Sequence, residues 1–211
     1  NSHKNTHYLL FIFFIERFKY YGSIMEHMVQ NRNNLELDIV LILLRGNTHL
    51  RGISRLLAKP HSTILRSLNM LVNDNVIDFK REGRNKVFYL KNNLQTRNYV
   101  FNAERYKLIK TIKQYPELGV VISEILKKCG ERLMVIFGSY AKGTAKRDSD
   151  IDIYVDTNNR KAKEEIESIN SKIRIKIGNF DLDSLLIKEI VKNHIIIKGV
   201  EAFYDKIKLF E

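Results

Sequence analysis

The sequence predicts an α+β chain: a small N-terminal domain of helices closed by a basic hairpin, joined by further helices to a C-terminal α/β domain with a mixed sheet. Three observations carry that expectation. Over residues 35–90, three stretches with apolar residues at helical spacing precede two short strand-like runs around a basic turn. From about Thr96 to Lys128 the spacing stays helical, interrupted at Pro116. From Arg132 onward strand and helix patterns alternate, as they do where helices cover a sheet. The expected divisions are a helical segment over 1–34, a first domain over 35–92, connecting helices over 93–130 and a second domain over 131–211.

A chain of 211 residues can form two small domains with real cores. Lys and Arg number 36 against 24 Asp and Glu, a formal charge of +12, while 44% of residues are hydrophobic. That balance excludes a disordered basic tail and implies a folded chain with a basic surface, suited to nucleic acid, nucleotide phosphates or an anionic membrane. The single cysteine, Cys129, excludes an internal disulfide and a cysteine-based zinc site, in keeping with a reducing cytoplasm. Residues 8–15 (YLLFIFFI) are apolar, but Glu16 and Arg17 end the run. It falls short of the ~20 residues that span a bilayer, and no small-residue cleavage site follows, so no membrane partner is expected. The run reads as a packing or dimerisation helix; with Asn1 as the first residue, Met25 and Met28 are candidate native starts.

In the first domain Leu35, Ile39, Ile42 and Leu43 make one helical face, stopped by Gly46 and Asn47. Thr48 reads as the N-cap of a second helix that turns Leu50, Ile53, Leu56 and Leu57 inward and ends at Lys59 and Pro60. A third helix from about His61 turns Ile64, Leu68, Leu71 and Val72 inward, and Ser62, Thr63, Arg66, Asn69 and Asn73 outward. Strand-like residues 76–79 and 87–90 then flank a turn over 80–86 that carries Lys80, Arg81, Arg84 and Lys86. This order resembles a winged helix-turn-helix. The resemblance implies double-stranded DNA as partner, with Ser62, Thr63, Arg66 and Asn69 facing bases and Lys80, Arg81, Arg84 and Lys86 meeting phosphates. The alternative is a solvated polar face on a module that contacts protein.

Two helical stretches follow, marked by Tyr99, Ala103, Tyr106 and Ile109 and by Leu118, Val121, Ile122 and Ile125. They bring no cluster of catalytic residue types and are expected to connect the domains or form a dimer seam. Cys129 reads as packing.

The chemistry concentrates between Leu133 and Val155. An apolar strand over 133–137 runs into Gly138 and Ser139; a short helical turn, Gly143 and a basic loop follow, then a strand with alternating carboxylates. Glycine lets backbone amides approach phosphate, and a serine hydroxyl adds a bond. Asp150 and Asp152, two apart on a strand, project from one face, while Ile151, Ile153 and Val155 point into the core. Paired carboxylates on one rigid edge hold Mg²⁺ or Mn²⁺, which in turn aligns a nucleoside triphosphate. Asp-x-Asp alone is common on surfaces; a strand, Gly-Ser, ten residues and Asp-x-Asp on a second strand is a specific pattern.

Over about residues 131–205 this pattern resembles the DNA polymerase beta-like nucleotidyltransferases, in their minimal branch. The resemblance implies metal-dependent transfer of a nucleotidyl group to an acceptor hydroxyl, with Asp150 and Asp152 as metal and catalytic carboxylates and Gly138, Ser139 and Lys142 as nucleotide contacts. One departure stands out. The family's third carboxylate, a general base on a later strand, has no plain counterpart, because the strand over 172–177 carries Lys172, Arg174 and Lys176 at its polar positions. Asp181 is the catalytic candidate if the register shifts; otherwise Asp181 and Asp183 read as cap and first-turn acid of the next helix. His194 reads as structural.

Three functions are therefore in play. The first is a DNA-binding regulator whose nucleotidyltransferase-type domain binds a metal–nucleoside triphosphate, either sensing it or working as a weak enzyme. The second is an active nucleotidyltransferase acting on a protein or small-molecule hydroxyl, in the manner of an antitoxin with a toxin-like partner protein. The third is a scaffold with both sites vestigial. The missing acid favours the first over the second, and a homodimer is expected by analogy with winged helices on DNA.

Overall fold

The computed structural model describes residues 34–210, which fall into two compact units divided between Leu90 and Lys91. The apolar run at 8–15, expected to be a packing helix, lies outside the described residues, as does nearly all of the segment over 1–34.

In the first unit, α1 (described over 34–43) is followed by β1 (Thr48–His49), α2 (Leu50–Leu57), α3 (His61–Asn73), β2 (Ile77–Glu82) and β3 (Asn85–Leu90). The strands form an antiparallel sheet in the order β1-β3-β2. The buried apolar residues of this unit, among those described, are Ile39, Val40, Leu43, Ile53, Ile64, Leu68, Leu71, Val76, Ile77 and Phe88. α3 ends in a Schellman motif: Asn75, at φ +61, takes the left-handed position, and the Val76 and Asn75 amides donate to the Leu71 and Val72 carbonyls. Val76 and Leu71 are both buried, the apolar contact that accompanies this stop.

Three details differ from the sequence reading. Thr48 does not cap α2; its backbone pairs with Phe88 in β1, and the cap position falls to His49, whose side chain makes no cap bond. Leu56 faces solvent at 67% exposure, because the buried stripe of α2 runs through Ile53 and Ser54, the Ser54 hydroxyl donating to the Lys59 carbonyl at 2.5 Å. The hairpin is also tighter than expected. Glu82 pairs with Asn85, so only Gly83 and Arg84 form the turn, and Lys80, Arg81 and Lys86 stand on the strands. Gly83 alone of the two has positive φ, +59, the pattern of a type II′ turn whose twist matches that of the strands.

The second unit comprises α4 (Leu94–Gln114), α5 (Pro116–Lys128), β4 (Met134–Ile136), α6 (Gly138–Lys142), β5 (Ile151–Asp156), α7 (Arg160–Glu167), β6 (Ile173–Gly178), α8 (Leu185–Lys192), β7 (Ile195–Lys198) and α9 (Val200–Lys206). Its mixed sheet has the order β6-β5-β4-β7, with β5 and β6 parallel and the other neighbours antiparallel. Alternation sends Ile151, Ile153 and Val155 to one face, where they pack with Leu118, Val121, Ile122 and Ile125 of α5 and Ala162 and Ile166 of α7. The helices that the sequence sets apart as connectors thus build the core of the second unit. Cys129 is buried in that same core.

The opposite face is closed by an aromatic run, Tyr154–Phe180–Phe203–Tyr204, with ring centroids 6.0, 5.6 and 5.4 Å apart. α4 packs against β7 and α9 through Val100, Phe101, Ala103 and Glu104, leaving Ile109 exposed. Glu104 is 1% exposed and gathers three partners: the Tyr204 hydroxyl donates to it at 3.0 Å, His194 Nε2 lies at 3.3 Å, and Lys107 Nζ at 3.3 Å. His194 Nδ1 is held by the Ile190 carbonyl at 3.0 Å, so this histidine is a structural one. Burial pushes the Glu104 carboxyl up, but His194, Lys107 and Tyr204 outweigh it and hold the group down at about 2. No helix among the described residues is long and apolar enough to cross a membrane.

Candidate functional site

β4 leads into Phe137, whose amide donates to the Asp152 carbonyl of β5 at 2.9 Å. That bond ties the start of the glycine turn to the strand that carries the acids. Gly138 follows at φ +67, a conformation in which a Cβ is strained, and a Cβ there would also overlap the Asp152 carboxylate. Only glycine admits both the turn and the acid. Ser139 is partly exposed, and its carbonyl accepts from the Thr144 amide at 3.0 Å, closing the loop after Gly143.

The sequence alone gives no sign of what anchors this loop. Tyr140, 2% exposed, stacks edge-on to Tyr115 at 5.0 Å, and its hydroxyl donates to Glu117 at 3.4 Å. α5 and the residue before it therefore position the turn from beneath. Lys142, a candidate phosphate contact, is drawn instead to Glu189 of α8 at 2.8 Å.

Asp150 stands just before β5 and Asp152 is its second residue. Half-burial and the neighbouring Asp150 charge push the Asp152 carboxyl up, while Lys176 and Arg174 pull it back. The parallel register sets Asp152 beside Arg174 of β6 and Tyr154 beside Lys176. Arg174 Nη2 lies 3.5 Å from Asp150 Oδ1, and its Nη1 donates to the Ser171 and Ile173 carbonyls at 2.8 and 3.2 Å. A guanidinium thus occupies the strand position facing the two acids.

Asp181 is not brought to them. β6 adopts the register Ile151↔Ile173 through Asp156↔Gly178, and Asp181 lies past its far end. The span from Asp152 to Asp156 alone is about 13 Å of strand. Asp181 serves its own turn: its carboxylate accepts from the Asp183 amide at 3.0 Å and its carbonyl from the Ser184 amide at 3.1 Å. Asp156 shares the Asp152 face but is engaged by Lys206 at 2.9 Å and by the Phe180 amide at 3.1 Å.

A fit for metal follows from this donor set. No group of three or more His, Cys, Asp or Glu side chains able to hold a metal is found among the described residues. Asp150 and Asp152 suit one Mg²⁺, an ion that keeps waters and phosphate oxygens as its remaining ligands. They do not suit two.

A strand thus leads into a Gly-Ser turn, and an acid pair stands at the head of the adjacent antiparallel strand of a mixed sheet. Residues 121–206 match the family described as Polymerase beta, Nucleotidyltransferase, a span that opens inside α5 and closes at the end of α9. Comparison with curated proteins and with solved structures gave no match.

In the first unit, Ser62, Arg66 and Asn69 are exposed on α3 and Thr63 is partly so. Arg81 and Arg84 are exposed, Lys80 pairs with Glu82 at 2.8 Å, and Lys86 Nζ sits 4.0 Å above the Phe79 ring. Arg51, Arg55 and Lys59, on and just after α2, are exposed cations that the sequence reading did not single out. Their only signal was the i, i+4 spacing of Arg51 and Arg55 away from the apolar stripe.

Proposed function

We propose that the chain is a DNA-binding regulator whose first unit is a winged helix-turn-helix and whose nucleotidyltransferase-type domain binds a Mg²⁺–nucleoside triphosphate rather than transferring it. The observation that carries this reading is Arg174 beside Asp152. A general base must accept a proton, and a guanidinium stays protonated at any working pH. Asp150 and Asp152 would hold the ion, with Gly138 and Ser139 next to the phosphates; the ion neutralises triphosphate charge.

Support for the DNA half comes from the order of elements and from charge. All nine Lys and Arg side chains between 34 and 90 are exposed: Arg45, Arg51, Arg55, Lys59, Arg66, Lys80, Arg81, Arg84 and Lys86. Such a surface binds a polyanion with strong salt dependence. Replacing Arg84 and Lys86 together with Ala is expected to weaken duplex binding about equally on all sequences. The slope of log K against log salt should flatten by roughly two. An unchanged slope in a fluorescence-anisotropy titration would remove the hairpin from the interface.

The nucleotide half is tested by a Mg²⁺-dependent assay with labelled nucleoside triphosphates, with an Asp150→Asn/Asp152→Asn control and with lysate as a source of acceptors. Bound nucleotide without covalent label is the expected result. Label on an acceptor with the wild type alone would overturn it and make the chain a working nucleotidyltransferase. The position of the Asp152 carboxylate where a Cβ on residue 138 would stand supports that second reading.

A further inference from the structure

Two cations of β6, Arg174 and Lys176, share the face of Asp152. Of these Arg174 is the anchored one: Nη1 is fixed by two backbone carbonyls, which leaves Nη2 turned toward Asp150. Lys172, just ahead of β6, donates to the Arg147 carbonyl at 2.6 Å and pins the basic loop beside them. We propose that Arg174 is the fixed second cation of this site: it competes with a divalent ion for Asp150 and bonds a phosphate oxygen of the bound nucleoside triphosphate, so that the site takes one ion. The inference rests on the nucleotide binding proposed above.

Three physical points support it. Asp150 is already paired with Arg174 of the neighbouring strand, so a metal ion at Asp150 must displace a cation that is already there. The Arg174–Asp150 pair is half exposed and 3.5 Å long, weak enough to exchange for a better anion. A guanidinium also presents a planar fork of donors that matches phosphate, and pre-anchoring one nitrogen lowers the ordering cost of using the others.

The test uses the full chain and two probes: Mn²⁺ alone, titrated by electron paramagnetic resonance, and ATP at fixed Mg²⁺, followed by equilibrium binding. The Mn²⁺ signal is assigned to this site by its loss in Asp150→Asn. In Arg174→Gln, Mn²⁺ is expected to bind several-fold tighter and ATP about tenfold weaker. Opposite signs in one variant exclude misfolding, which would weaken both. Arg174→Lys, which keeps charge and loses the fork, should leave Mn²⁺ near wild type and place ATP in between. Unchanged or weaker Mn²⁺ binding in Arg174→Gln, or unchanged ATP binding, would overturn the proposal, as would two Asp150-dependent Mn²⁺ ions per wild-type chain. A wild type that binds Mn²⁺ but no ATP would instead defeat the nucleotide reading and the phosphate role of Arg174 together.

Discussion

Replacing Glu104 with alanine is expected to destabilise the second unit by about 3–5 kcal/mol, the range for removing one partner of a buried ionic cluster. The substitution strips the Tyr204 hydroxyl and His194 Nε2 of their shared acceptor and opens a cavity between α4 and α9. The wild type should also carry an acid signature of this carboxylate. Its folded value of about 2 lies below the unfolded value of 4.5, so its stabilisation is complete above pH 4.5 and fades as pH falls toward 2. Integrated over that window the effect is roughly 3 kcal/mol. Glu104→Gln keeps the shape and one acceptor oxygen, and should lose less stability at pH 7 while abolishing that part of the acid dependence. Urea titrations at pH 7 and near pH 3.5 check both, followed by tyrosine fluorescence because the chain has no Trp. Equal pH dependence in wild type and Glu104→Gln would show that the carboxylate is not the group responsible.

Gly138→Ala is expected to lower Mn²⁺ and nucleotide binding by about 10²-fold, because a Cβ there must push the Asp152 carboxylate out of place. The backbone adds its own cost, about 1–2 kcal/mol for a non-glycine residue at φ +67. Gly143→Ala separates the two effects. Gly143 has nearly the same φ, +71, but a Cβ there meets nothing within 4 Å. Both variants should lose similar stability, and only Gly138→Ala should lose ligand. Equal loss of binding in the two would mean that the turn itself, and not room for Asp152, is what Gly138 provides.

Most of the element order was legible from periodicity, since apolar stripes at helical and alternating spacing are a local property of the chain. Residues 133–156 show it: an apolar strand, a short helical turn, a glycine at φ +71 and a second strand stand where the pattern put them. Caps and partners were not legible. Thr48 is a good cap by type, yet pairing with Phe88, forty residues away, draws it into a strand. α5 looked like a connector because its apolar stripe does not say which sheet it covers. Glu104 gave one faint signal, an acid at helical spacing within a buried stripe, and its three partners come from elsewhere on α4, from the residue before β7 and from α9.

At the candidate site, the sequence by itself determined the Gly-Ser turn, the Asp150 and Asp152 pair and the lack of an acid on the next strand. Strand alternation and glycine's freedom are set within a few residues. Only the tertiary structure decided that Gly138 makes room for Asp152, that Lys142 turns to Glu189, and that Arg174 rather than Asp181 stands beside the acids. Those outcomes depend on the register between β5 and β6 and on which helices cover the sheet. Both are settled by packing between residues distant in sequence, where local pattern carries no information.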